Sequence, residues 1–330
     1  MFPVLLDTVG TIIPKAILIE NVNGLTRNKF RPYFEYIKKR LQFPLHPPQN
    51  GESWGARSQR LRRVTEADFT DAEQYVVWSQ VVDAADYGVP QRRRRVFILA
   101  LRRDLDLDQF ELPPTNSRAA LLYDQWITGE YWKRHDLTRT GHMEKRDETI
   151  VNALRQQLFP MDGLSPWRTV RDAIGDLPAP VARGEQEIMA NHVQHPGARS
   201  YSGHAGSRLD HPAKALKAGA HGTPGGENTV QIPDGGVRYL TTREAARLQT
   251  FPDTWLFSGS WGACVKQLGN AVPAKLAALF AYEIYERLAG VRRVVDSSDN
   301  PAQLPAGSAN AVATAEPIDS LLRKRLPAEV

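Results

Sequence analysis

Cysteine is nearly absent: 330 residues contain one, Cys264, which excludes an internal disulfide framework and any cysteine-rich zinc site and fits a reducing compartment. No apolar run approaches the about 18 residues that a membrane-spanning helix needs. The opening stretch Met1-Phe2-Pro3-Val4-Leu5-Leu6-Asp7 lacks the basic region of a secretory signal, so the cytoplasm is the expected compartment. Charge of one sign is also scarce. The 42 Lys and Arg stand against 37 Asp and Glu, and a net charge of +5 permits contact with a polyanion without requiring it. With 42% apolar residues the chain can bury a real core, and its length suggests more than one lobe.

The first ordered signal is the apolar run Ala16-Ile17-Leu18-Ile19 ending in Glu20-Asn21-Val22, the pattern of a buried parallel strand that delivers side chains at its carboxyl end. Phe30, Phe34, Ile37 and Leu41 then recur at helical spacing, which predicts an amphipathic helix over one sheet face. A Pro- and Arg-rich loop is expected over residues 44–63. Tyr75 to Val82 and Val96 to Leu101 read as further strands, with the basic turn Asp86-Tyr87-Gly88-Val89-Pro90-Gln91-Arg92-Arg93-Arg94-Arg95 between them. The expected fold class is therefore α/β, with residues 1–102 as one portion.

From residue 103 to 236 the periodicity fades into a loop-rich lobe with one expected helix near Val170 to Gly175. His192, His195, His204, His211 and His221 gather in its later part with Arg199, Arg208, Lys214 and Lys217, but their spacing follows no zinc pattern, so no metal site is expected. Residues 237–292 should close the structure with two capped helices joined by a glycine-bearing loop. Thr241 and Glu244 form a capping box, Phe251-Pro252 stops the first helix after Gln249, and Pro273 opens a second whose apolar face holds Leu276, Leu279, Phe280 and Ile284. Residues 293–330 have the Ser, Asn, Ala and Pro composition of a flexible tail.

The block Arg238-Tyr239-Leu240-Thr241-Thr242-Arg243-Glu244-Ala245-Ala246-Arg247-Leu248-Gln249, with Phe251-Pro252-Asp253 and Gly269-Asn270-Ala271-Val272-Pro273, resembles the last two conserved blocks of the DNA cytosine (carbon 5) methyltransferases. Glu20-Asn21-Val22 and Gln91-Arg92-Arg93-Arg94-Arg95-Val96-Phe97 resemble two earlier blocks of that family, in the family's order. Any one of these matches is weak; four in sequence carry the assignment.

The resemblance implies a partial Rossmann-like sheet for S-adenosylmethionine-dependent methylation and a target-recognition region over 103–236. It implies that a flipped cytosine is attacked at carbon 6 by a cysteine thiolate. Glu20 would stand beside ring nitrogen 3 and the exocyclic amine, Arg95 would donate to the base carbonyl, and Arg93 would hold the site. Asn270 and Ala271 would lie near S-adenosylmethionine, and Asn21, Gln91, Arg243 and Arg247 would be structural or base-contacting. The partner is double-stranded DNA, in the manner of restriction-modification enzymes, and Ala215-Leu216 is the best counterpart of a Thr-Leu pair frequent in the recognition lobe.

The family's cofactor glycine loop, ribose-binding acid and Pro-Cys-Gln nucleophile loop have no match in the sequence, and Cys264 reads as a small packed residue. The expectation is a split enzyme, idle alone and completed by a second polypeptide. A truncated DNA-binding remnant and an RNA cytosine methyltransferase are the alternatives.

Overall fold

A computed structural model of the chain describes residues 2–105, 110–139, 143–156, 163–200, 205–218, 227–232 and 235–289. Two compact units divide it, Met1–Ala277 and Ala278–Val330.

The chain starts with α1 (Phe2–Ile12), then β1 (Ala16–Val22), α2 (Arg31–Gln42), α3 (Trp54–Leu61), β2 (Tyr75–Asp83) and β3 (Arg94–Arg102). β3 runs between the other two strands and is antiparallel to both, with Glu20 opposite Phe97, Val22 opposite Arg95 and Asp83 opposite Arg94. The expectation of parallel pairing for β1 is therefore corrected. β1 and β2 do run in one direction, but the later strand β3 has inserted between them. A side-chain period of two reports the faces of a strand and carries nothing about the direction of its neighbour.

One face is the deepest core. Leu6 and Val9 of α1 and Phe34, Ile37 and Leu41 of α2 pack on Ile17, Ile19, Val96, Ile98 and Ala100. On the opposite face Phe97 and Leu99 are enclosed and Trp78 meets Phe110 edge-on at 4.8 Å, while Leu18 is 38% exposed. The outer edge of β1 has no partner strand among the described residues.

The segment expected as a loop between α2 and β2 holds α3, whose start is capped by Ser53 accepting from the Ala56 N–H at 3.2 Å. α1 was also not anticipated.

The recognition lobe is more helical than its sequence suggested. It holds β4 (Asn116–Ser117), α4 (Arg118–Tyr123), α5 (Glu130–Arg134), α6 (Lys145–Arg155), β5 (Ser165–Pro166), α7 (Val170–Ile174) and β6 (Thr229–Gln231), which pairs with β7 (Val237–Tyr239) of the closing region. α7 is the helix expected near Val170; α4 and α5 are too short for a periodic stripe to declare itself, and polar contacts help to fix the lobe. Tyr131 Oη donates to Asp210 Oδ1 at 2.8 Å, and Arg171 pairs with the same carboxylate at 2.7 Å.

The closing region is α8 (Thr242–Leu248), α9 (Trp261–Asn270) and α10 (Ala274–Leu288), the last crossing the division between units. The capping box at Thr241 and Glu244 is formed as the sequence indicates. The glycine-bearing loop expected between two helices contains α9, capped by Ser260, with Cys264, Val265 and Leu268 on its buried side. A second core joins α7, α8 and α9 through Val170, Ile174, Leu216, Ala246, Leu248 and Leu268. The proposed tail at 293–330 lies outside the described residues.

Ile98 is fully enclosed at the centre of the sheet, whereas Val76 on β2 is 51% exposed. Ile98→Ala should therefore lose about 2–5 kcal/mol in urea unfolding, and Val76→Ala should change stability by no more than about 0.5 kcal/mol. Equal losses would show that this sheet is not the stability core.

Candidate active site

The end of the sheet that carries Glu20 is built by the first residues of β3. Alternation along that strand sends Arg93 and Arg95 to different surroundings from exposed Arg92 and Arg94. Arg95 sits across from Val22, and its Nε lies 2.9 Å from Glu20 Oε1. The contact is an ion pair, and Oε1 is buried against the guanidinium. Burial pushes the Glu20 carboxyl above its ordinary value, and the nearby Arg95 and Arg93 charges oppose that rise without cancelling it. Asn21 folds back locally, its Oδ1 accepting from the Val22 N–H at 2.8 Å.

Arg93 is 1% exposed and draws three distant stretches together. Its Nη1 donates to the Leu216 carbonyl at 3.1 Å, and its Nη2 donates to the carbonyls of Gly269 at 2.6 Å and Ala271 at 3.0 Å. Enclosure without a paired carboxylate holds its pKa down to about 10, so it remains charged at neutral pH. Gln91, fully buried, completes the clasp: its Oε1 accepts from the Leu216 N–H at 3.3 Å and its Nε2 donates to the Leu248 carbonyl at 3.5 Å. The backbone beside it is pinned as well, with Arg92 N–H on the Ala213 carbonyl at 2.8 Å and Ala213 N–H on the Pro90 carbonyl at 2.9 Å. Ala215-Leu216 thus lies directly against the arginine block.

Sequence reasoning missed the residue that aims this block. Asp83, at the end of β2, accepts from the Arg93 N–H at 3.0 Å and pairs with Arg92 Nε at 2.5 Å, while the Arg92 guanidinium stacks over Trp167 at 4.6 Å. An aspartate at a strand end followed by a short turn was the available signal. The close approach demanded of Gly269 was also unread: a Cβ there would stand 2.6 Å from the Lys217 carbonyl carbon and 2.7 Å from Ala218 Cα.

Arg243 and Arg247 stand apart from this end of the sheet. Arg243 is fully enclosed and spends its donors on the carbonyls of Ala190, Pro252 and Trp255. Arg247 holds Asp253 at 2.6 Å and Asp176 at 2.5 Å, and these partners push its pKa up. Both fasten the loop after α8 to the recognition lobe.

Among the described residues His192, His195 and His211 stand in separate surroundings, His211 being buried beside Arg208 and Glu144. His192 is buried between the Thr241 hydroxyl and the Pro178 carbonyl, His195 stacks on Trp261 at 4.2 Å, and His204 and His221 lie outside the described residues. No grouping of His, Cys, Asp and Glu suited to a metal occurs among the described residues. Cys264 is buried and its thiol faces the Ser258 carbonyl at 3.7 Å.

Asn270 ends α9 with its side chain exposed, next to the Ala271 carbonyl that Arg93 holds.

The model of the C-5 cytosine-specific DNA methylase family matches residues 55–286. The chain is 30% identical over 269 residues to the type II methyltransferase M.PspPI of Psychrobacter sp. (strain TA137), covering 81% of this chain and 52% of that relative. M.Eco47II of Escherichia coli is 30% identical over 268 residues with the same shares. The chain thus spans about half the length of these curated relatives. Among solved structures it resembles the S. pombe Dnmt2 methyltransferase, with a TM-score of 0.42 at 15% identity over 86% of this chain and 72% of that one.

Two measurements check this geometry. Gly269→Ala forces the Lys217–Ala218 backbone away from α9 and should cost at least about 1–3 kcal/mol of stability; an unchanged urea midpoint would deny the close contact. The Glu20 carboxyl, followed by carbon NMR, should titrate above 4.5, and higher still in Arg95→Ala. Because the folded state holds that proton more tightly than the unfolded chain, its contribution to stability is complete below pH 4.5. It is lost as pH rises through the folded midpoint, and Glu20→Gln should remove that slope.

Proposed function

With its family model spanning residues 55–286, the chain belongs to the C-5 cytosine-specific DNA methylases, and we propose that it supplies the base-binding half of a cytosine carbon-5 methylation site on duplex DNA. The observation that carries this reading is the Glu20–Arg95 pair. It places a partly buried carboxyl beside a cation at the end of a strand.

A cytosine turned out of the helix presents an amine donor, a ring nitrogen and a carbonyl acceptor on one edge. The Glu20 carboxyl meets the base edge, and with its proton affinity raised by burial it can place a proton on ring nitrogen 3. That proton neutralises the charge pushed into the ring when a nucleophile adds at carbon 6. Arg95 donates to the base carbonyl. Arg93 is a positioning residue: it is enclosed, and it keeps the Leu216 and Ala271 backbones at the site.

S-adenosylmethionine, held in part by Asn270 and Ala271, supplies the methyl group when bound. The thiolate and the segments for the methionine and ribose parts of that cofactor belong to polypeptide outside these 330 residues, and the proposed active species joins this chain to it, in the cytoplasm with the DNA. The outer edge of β1, which has no partner strand among the described residues, is where another strand can dock.

Co-expression with a polypeptide carrying those segments should give transfer of labelled methyl from S-adenosylmethionine to duplex DNA, while the chain alone transfers none. Glu20→Gln should lower the rate about 10²–10⁴-fold. Activity of the pair that survives this substitution, or that falls on tRNA instead of duplex DNA, would overturn the reading.

A further inference from the structure

Between the end of β1 and the first turn of α2 the chain carries three cations in five residues, Arg27, Lys29 and Arg31, all exposed. The acids of the same region are engaged elsewhere among the described residues: Glu35 with Lys38 at 3.0 Å, Asp7 with Arg40 at 2.9 Å and Glu20 with Arg95 at 2.9 Å. None of the three cations has an ion-pair partner among the described residues. Their backbone is nonetheless fixed. Arg27 N–H donates to the Gly24 carbonyl at 3.2 Å, and the Arg27 carbonyl accepts from Phe30 N–H at 2.8 Å and Arg31 N–H at 3.0 Å. Beside them Phe30 is 45% exposed, with the Lys29 ammonium 5.9 Å from its ring centre.

Position gives this cluster its meaning. The turn at Asn23–Thr26 follows directly on Val22, which stands opposite Arg95, so the three cations share the end of the sheet with Glu20 and with exposed Arg94. Lys15, equally exposed, marks the other end of β1, about 23 Å away at the rise of an extended strand. The chain's overall charge is only +5, so a block of unpaired cations at one end is a local feature and not a uniform coating. A carboxyl that must admit part of a polyanion repels it when ionised, and fixed cations at the rim offset that repulsion.

We infer that Arg27, Lys29 and Arg31 form a phosphate-binding rim that holds the DNA backbone next to the Glu20 site, a contact surface separate from the recognition lobe. This rests on the methylase reading above. Phosphate contacts position a duplex without reading its sequence, so the rim sets affinity for any duplex and orients the backbone whose base enters the site.

The test is binding of the full chain to labelled duplexes of several sequences, by fluorescence anisotropy across a salt series, for wild type and two triple variants. The first is Arg27→Ser/Lys29→Ser/Arg31→Ser. The second is Lys15→Ser/Arg62→Ser/Arg63→Ser, which removes the same charge from exposed positions elsewhere. The rim variant should bind every duplex about 10-fold or more weakly. Its slope of log affinity against log salt should fall by about 2–3, at roughly 0.9 for each phosphate that is no longer neutralised. The control variant should keep the wild-type slope, and both should keep the wild-type circular dichroism spectrum. An unchanged slope in the rim variant, or equal losses in both variants, would overturn the rim while leaving the methylase reading intact. A wild-type chain that binds no duplex even at about 50 mM salt would instead overturn that reading and the rim together.

Discussion

The Arg93 guanidinium is the interaction on which the site depends. A buried cation with no carboxylate partner is costly, and this one is tolerated because its charge is spread over the carbonyls of Leu216, Gly269 and Ala271. Those carbonyls come from stretches more than a hundred residues away in the chain. The same contact that satisfies the arginine therefore sets the distance between the sheet, the recognition lobe and the end of α9. Gln91 and Gly269 serve the same junction, one by bonding both to Leu216 and to Leu248, the other by having no side chain where two backbones meet.

Glu20 and Arg95 occupy the open side of that junction. Arg93 faces inward to the distant carbonyls, and Arg95, two residues on, faces the carboxylate, while the residues between and before them turn to other surroundings because successive residues of a strand point to opposite faces. A run of four arginines thus divides into different tasks: Arg93 as clasp, Arg95 as the partner of Glu20, Arg92 laid on Trp167 and paired with Asp83, and Arg94 at the surface. The carboxyl of Glu20 is raised by burial even with cations beside it, which is the condition for a group that both accepts a hydrogen bond and holds a proton.

Much of the framework was legible from residues alone. Strands β1 to β3, the helix carrying Phe30, Phe34, Ile37 and Leu41, and the capping box at Thr241 follow from period and local hydrogen-bonding chemistry, and the structure has them within a residue or two, whereas the short strands β4 to β7 were not legible. α9 was not legible because glycines at 259, 262 and 269 mask a helix whose stability comes from packing against α8. In the recognition lobe only the helix near Val170 was legible, as α7; α4 and α5 are short, and tertiary contacts such as that of Tyr131 with Asp210 leave no periodic trace.

The sequence by itself determined which residues can do chemistry: a carboxylate at the end of an apolar strand, an arginine block, and an amide after a glycine, in an order that resembles one family. Tertiary structure alone decided what each arginine does, that β3 enters antiparallel between β1 and β2, and that Ala215-Leu216 abuts the arginine block. Periodicity and motif order are local properties of the chain. The partner of a buried charge is set by whichever distant backbone packing brings within about 3 Å of it.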